Sequence, residues 1–212
     1  RLDSSFGSAL RAYALLLRDA HYLGLVFIGS FAMGGFFVYL ASSSFVFIDH
    51  YGLTPTQYSL AFGVNAAAFI GASQLTGPLG KRFGLVPLVR WAMLGCGATM
   101  VLLMGYYLAG GDDFRVLIAL FFVASGFMGC VISPTGVLAL EQHGAIAGTA
   151  SALMGTLQML TGALMMGAIA SFTNGSPIAM VAGMTAGVAL ALMLTWLTLG
   201  GQRATAQAVA AR

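Results

Sequence analysis

The chain has 212 residues, 59% of them hydrophobic and only 7% charged, with a mean hydropathy of +0.92. A soluble domain carries roughly 25% charge, so there are too few polar side chains here to cover a water-facing surface, and the composition indicates an integral membrane protein. The net charge of +3 reads as membrane topology, and no nucleic-acid partner is expected.

Arg1, not Met, opens the sequence, and the first 20 residues lack the apolar core and small-residue cleavage site of a signal peptide. A piece of a longer protein is expected. Leu2, Phe6, Leu10, Tyr13 and Leu17 recur at helical spacing, with Arg11, Arg18 and serines on other faces. Residues 1–20 therefore read either as an amphipathic helix on the membrane surface or as the end of a linker.

Six apolar runs follow, at about residues 21–48, 56–79, 86–109, 114–140, 145–173 and 177–199. Each meets the requirement of about 20 residues for a spanning helix. The expected fold is all-α, a polytopic bundle of six transmembrane helices over residues 21–199 with a small polar tail at 200–212. Thr54-Pro55-Thr56-Gln57 is a capping box, with Thr54 as N-cap and Pro55 at the first helical position. Asn174-Gly175-Ser176-Pro177 is a turn into the last run, and Gly200-Gly201 ends it.

Eight of the nine basic residues fall on one side if the N-terminus is inside: Arg1, Arg11, Arg18, Lys81, Arg82, Arg90, Arg203 and Arg212, against Arg115 alone. The positive-inside rule places both termini in the cytoplasm. Small residues recur every fourth position at Ala179, Gly183, Gly187 and Ala191, and at Gly144, Gly148, Ala152 and Thr156. Both stripes read as close helix contacts in lipid. A shift of 91 residues aligns Gly35-Phe36 with Gly126-Phe127, Ser42 with Ser133 and Ser44 with Thr135. Three helices separate the copies, which makes them inverted repeats of the 3+3 kind found in transporter halves.

Polar groups inside a membrane are functional suspects. Phe36, Tyr39 and Ser43 share a helix face that suits a cavity for an amphipathic small molecule. The triplet Ser42-Ser43-Ser44 either lines that cavity or bonds to carbonyls one turn back. Asn65 and Gln74 lie on opposite faces; Asn65 is the cavity candidate, and Gln74, with Ala67 and Gly71, is expected to aid helix packing. Ser133 is a further cavity candidate, Gln158 serves as an interhelical bond or a ligand contact, and Pro134 is a candidate hinge. No carboxylate or basic residue lies mid-span, and no metalloprotease, nucleophile-elbow or phosphate-loop motif is present. His21, His50 and His143 lie at separate interfaces, so neither a metal nor another cofactor is expected, nor an enzyme. Cys96 and Cys130 read as small core residues.

Several stretches carry a resemblance. The run Tyr39 to Phe47, followed by Tyr51-Gly52-Leu53-Thr54-Pro55-Thr56-Gln57, resembles the Bcr/CflA (bicyclomycin-resistance type) drug efflux family of the major facilitator superfamily. So do Asn65 with Gly71-Ala72-Ser73-Gln74-Leu75, and Ala139-Leu140-Glu141-Gln142-His143-Gly144 continued by Ala147 to Leu153, which is similar to the family's ALEPHG…AGSASAL segment. Residues 77–84 are similar to the superfamily's cytoplasmic loop motif, but Lys81 stands where an acid is usual and Leu85-Val86 replace a basic pair. The resemblance covers about residues 6–199. It implies an antiporter of the bacterial inner membrane with two six-helix halves, exporting drugs or small metabolites against entering protons. This chain would be the C-terminal half, and the missing N-terminal half would carry the coupling carboxylate. Arg82, Glu141 and His143, at the cytoplasmic face, are gating candidates, with Arg82 and Glu141 expected to pair in one state and part in the other. The competing expectation is a self-sufficient six-helix protein, a uniporter, channel or scaffold acting as a homodimer.

Overall fold

The computed structural model describes residues 6–170 and 176–200. The expectations that fall on Arg1, Leu2, the end of the fifth apolar run, the Asn174-Gly175 turn and residues 201–212 lie outside the described residues. Seven α-helices occur among the described residues: α1 (Phe6–Leu16), α2 (Ala20–Ser44), α3 (Pro55–Phe83), α4 (Leu85–Leu108), α5 (Phe114–Glu141), α6 (Ala147–Ala170) and α7 (Pro177–Leu199). α2 continues without a break into a π-helical turn, Phe45–His50, and a 3-10 turn, Gly144–Ile146, leads into α6.

Local chemistry sets the helix starts. The Asp19 carboxylate caps α2 by accepting from His21 N at 2.9 Å and Tyr22 N at 3.0 Å. The capping box opens α3 as expected: Thr54 Oγ1 accepts from Gln57 N at 3.3 Å, and Gln57 Oε1 accepts from Thr54 N at 2.9 Å. Asp113 caps α5 through Arg115 N at 2.7 Å. Gly84, at φ 84°, lets the chain turn from α3 straight into α4.

Among the described residues, five helices are long and apolar enough to cross a membrane: α2 with its π-turn, α4, α5, α6 with its 3-10 turn, and α7. α3 is as long, at 29 residues, but Asn65, Ser73, Gln74 and Thr76 dilute its apolar content. It nevertheless runs alongside α5 in the same direction. A Cβ on Gly126 would lie 3.9 Å from Ala72 Cβ, Gly129 faces Phe69 and Ser73, and Cys130 Sγ donates to the Ala72 carbonyl at 3.5 Å. α3 therefore crosses what α5 crosses, which completes six spans among the described residues.

The expected inverted repeat shows in the packing. α2 packs chiefly on α6 and α7, whereas α5 packs chiefly on α3 and α4. Exchanging the triplets α2–α4 and α5–α7 maps each set of contacts onto the other, and the remaining large contacts, α2 with α5 and α4 with α7, map onto themselves. Each triplet thus gives its first helix to the other.

Close approach decides the seams. A Cβ on Gly187 of α7 would lie 2.9 Å from the Phe31 carbonyl oxygen of α2, and one on Gly35 would lie 3.4 Å from that of Met184. Phe37 fills the space over Gly162 of α6. The α7 stripe behaves as expected, with Gly183, Gly187 and Ala191 buried. The α6 stripe does not: Gly144, Gly148, Ala152 and Thr156 are exposed, and α6 instead buries Ala150, Leu153, Thr161 and Gly162. Gln74 and Gly71 are exposed too; α3 meets α5 through Phe69, Ala72 and Ser73. Spacing marks a helix face in each case, but not which neighbour it meets.

Exposed Trp91 and Trp196 lie near the ends of α4 and α7 closest to Lys81 and Arg82, the basic end of the bundle. At the opposite, acidic end, a chain of hydrogen bonds ties α2 to α4 and to the turn before α5. The Tyr107 hydroxyl donates to that of Tyr51 at 2.6 Å, Tyr51 donates to Asp112 Oδ1 at 2.7 Å, and His50 Nε2 lies 2.8 Å from Asp112 Oδ2. The Tyr51 hydrogen bond, seconded by His50, holds the Asp112 carboxyl below its ordinary 3.8. Burial first, and then Tyr107 and Asp112, push the Tyr51 hydroxyl up.

A Cβ on Gly129 would run into the Phe69 carbonyl oxygen and lie 3.1 Å from Ser73 N, so Gly129→Ala destabilises by about 1–3 kcal/mol. At Gly63, which has open space, the same change stabilises by about 0.5–1 kcal/mol; thermal unfolding of the purified protein reads both. Because the Asp112 pKa is depressed by folding, its stabilisation is present above its ordinary 3.8 and is lost as pH falls through the lower folded value. Melting curves between about pH 3 and 7 will show an acid loss that shrinks in Tyr51→Phe and Asp112→Asn.

Candidate functional site

A cavity of ≈ 260 Å³, open on one side, lies in the bundle, walled by α2, α3, α4, α5 and α7. Helical spacing builds each wall. α2 contributes Gly35, Phe36 and Tyr39; α3 contributes Phe62, Asn65, Ala66, Phe69 and Ile70. α5 adds Phe121, Ala124, Ser125 and Met128, and Cys96, Met100, Met184 and Val188 of α4 and α7 form the back. No charged side chain lines the space. Its mouth is on the α2–α3 side, where Phe36, Phe62, Ala66 and Phe69 are partly exposed and Ile70 is 56% exposed, whereas Cys96, Met100 and Val188 at the back are sealed.

Tyr39 is the centre of an aromatic cluster. Its ring stacks on Phe62 at 5.6 Å between centroids, lies 4.3 Å from Phe121 and 6.2 Å from Phe36, and is 1% exposed. The Asn65 side chain, 4% exposed, donates from Nδ2 to the Tyr39 hydroxyl across a long 3.5 Å. Asn65 Oδ1 is buried with no hydrogen-bond partner. An orphaned acceptor in an apolar wall costs about 1–3 kcal/mol until something donates to it. The cavity is thus built to take a neutral, mostly apolar molecule with one polar contact.

The structure brings Phe36, Tyr39 and Asn65 together at this cavity. Ser43 lies one turn further toward the acidic end, fully buried, with its hydroxyl 3.1 Å from that of Tyr58. It bridges α2 to α3 instead of bonding back along its own helix, and the π-turn begins two residues later. Ser133 is exposed and stands apart from the cavity. Pro134 is buried inside α5, which runs through it as continuous helix. Next to it, Thr135 Oγ1 donates to the Val131 carbonyl at 2.8 Å. Gln158 of α6 reaches α2 elsewhere: a Cβ on Gly29 would meet Gln158 Nε2 at 3.2 Å and Thr135 Oγ1 at 3.4 Å.

At the basic end, Arg82 and Glu141 are exposed and unpaired with each other; the Arg82 guanidinium lies 5.1 Å from the Phe83 ring centroid. His143 is buried, with Nε2 3.2 Å from Asp19 Oδ2 and its ring edge-on to Tyr22 at 5.3 Å. The Tyr22 hydroxyl donates to the Ala150 carbonyl at 2.6 Å. His143, Asp19 and Tyr22 together strap the start of α2 to the α5–α6 connection.

Sequence reasoning missed Phe62, Phe121, Met100 and Met184, since apolar residues facing lipid and those facing a cavity look alike. The spacing of Phe62, Asn65 and Phe69 around the polar Asn65 was the available signal. It also missed the Asp19 partner of His143 and the Asp112 cluster. No group of three or more His, Cys, Asp or Glu that could hold a metal occurs among the described residues.

Comparison with known proteins accords with this architecture. The family model of the Major Facilitator Superfamily matches residues 4–166. The chain is 32% identical over 164 residues to an uncharacterized MFS-type transporter, YdgK, of Bacillus subtilis (strain 168), covering 77% of this chain and 40% of that protein. It is 29% identical over 185 residues to a bicyclomycin resistance protein homolog of Haemophilus influenzae (strain ATCC 51907 / DSM 11121 / KW20 / Rd), covering 86% of this chain and 46% of that protein. The chain spans less than half the length of either relative. With its interlocked triplets of membrane-crossing helices, this chain belongs to the Major Facilitator Superfamily of transporters.

Proposed function

We propose that the chain is the C-terminal half of a proton-coupled exporter of small amphipathic molecules, drugs or metabolites, in a bacterial inner membrane. The observation that carries this reading is the neutral aromatic cavity with an unsatisfied Asn65, set in a chain of a transporter family. The similarity to a bicyclomycin resistance protein homolog supports export of drugs. The exposed faces of α3 and α6, helices related by the internal repeat, are where the N-terminal half packs, and the exposed small residues of α6 suit such a contact. All acidic residues among the described ones sit at helix ends, so the coupling carboxylate belongs to the other half. Residues 1–20 link the halves, both termini lie in the cytoplasm, and residues 200–212 form a cytoplasmic tail.

In this reading Phe36, Tyr39 and Asn65 form the solute-binding wall, with Ser43 above it on the extracellular side. Ser133 and Gln158 belong to the path at other depths, and Pro134 is the hinge of α5. Arg82, Glu141 and His143 form the cytoplasmic gate. Arg82 and Glu141 pair when that gate closes and part when one half rocks against the other.

Efflux from cells expressing the complete protein tests the reading. Transport driven by an imposed proton gradient is expected, and replacing Ser42, Ser43 and Ser44 with Ala shifts which drugs are exported at equal expression. A native polypeptide no longer than this chain, transporting without a proton gradient, would return the homodimer reading. For the gate, Arg82→Ala and Glu141→Ala are expected to be non-additive in transport by about 0.5–3 kcal/mol; strict additivity would refute the pairing.

A further inference from the structure

We propose that the cavity between α2, α3, α4, α5 and α7 takes a compact, neutral aromatic molecule donating one N–H or O–H bond to Asn65 Oδ1. Calling that molecule a substrate rests on the transport reading; its binding does not.

The walls close the cavity on one side. Here Tyr39, Cys96, Met100, Met184 and Val188 are each at most 3% exposed, and α4 and α7 close the back. The mouth lies on the α2–α3 side, where Phe36, Phe62, Ala66 and Phe69 are partly exposed and Ile70 is exposed.

The class of ligand follows from size, charge and the orphaned acceptor. At ≈ 260 Å³ the space falls just below the range of drug sites, roughly 300–1,000 Å³, which suits one or two fused rings. Apolar cavities of roughly 150 Å³ stay dry and take up benzene-sized guests. No side chain of opposite charge is there to offset the desolvation of an ion, so the guest is neutral. The faces of Tyr39, Phe62 and Phe121 favour an aromatic ring, and Met100, Met128 and Met184 adapt to its edge. A water molecule on Asn65 Oδ1 would satisfy the oxygen but leave the aromatic remainder empty. A guest with a single donor satisfies both, while the long 3.5 Å bond to Tyr39 leaves Asn65 free to adjust.

The test uses the complete protein in lipid nanodiscs with methyl-labelled methionine, titrated with indole and with benzothiophene, which has similar rings but no N–H. Indole is expected to shift the Met100, Met128 and Met184 signals saturably. In Asn65→Leu the affinity for indole relative to benzothiophene falls roughly two- to tenfold, the usual worth of one neutral hydrogen bond. Asn65→Ala, which cannot overpack, provides the same comparison if the leucine variant does not fold. Ala124→Phe fills the space and abolishes both shifts. No saturable shift in the unaltered protein would overturn the site while leaving efflux, and so the transporter reading, intact. An unchanged ratio in the Asn65 variants would overturn the role given to Oδ1. Loss of indole binding in Ala124→Phe with efflux retained would confirm the site and remove it from the transport route.

Discussion

Helices in hydrocarbon gain little from burying apolar side chains against one another, because lipid is as apolar as a neighbour. What distinguishes one arrangement from another is how closely two backbones approach. Three of the seams here depend on that constraint. Gly35 and Gly187 bring α2 against α7, Gly162 makes room for Phe37 between α6 and α2, and Gly129 brings α5 onto the Phe69 carbonyl of α3. The interlocked triplets result from these approaches, and the aromatic cavity is the space left where none of the five surrounding helices can come closer.

Much of the fold was legible because it is governed by local rules. Span length, the Thr54 capping box and the turn at Ser176-Pro177 are read from neighbouring residues, and the inverted repeat from an offset in the chain. The candidate site was legible only in part. Phe36, Tyr39 and Asn65 could be found because a polar or aromatic group in a span stands out. Phe62, Phe121 and Met100 could not, since a phenylalanine facing lipid and one facing a cavity carry the same signal. The α6 stripe shows the same ambiguity from the other side. Four small residues in register imply that something approaches closely, but among the described residues nothing does, and the helix uses Gly162 for its contact with α2.

Polar residues in the spans divide into two groups with different consequences. Ser30, Thr99, Thr135 and Thr195 donate to carbonyls of their own helices and are thereby neutral toward the cavity. Ser43, Tyr39 and Asn65 look across to other helices, and their bonds are longer or incomplete. The first group keeps each helix intact in lipid. The second leaves hydrogen-bonding capacity unspent at the place where a guest would need it.

The π-turn at Phe45–His50 bears on how relatives of this chain should be aligned. Such a turn accommodates one more residue than an α-helical turn over nearly the same rise, and it does so between Ser44 and the Tyr51 anchor. Loss of one residue there would restore ordinary winding without moving either end. The stretch therefore acts as slack in the ruler, and counting residues across it would misplace His50 by a position in a relative that lacks the extra turn, even where the two structures coincide on both sides.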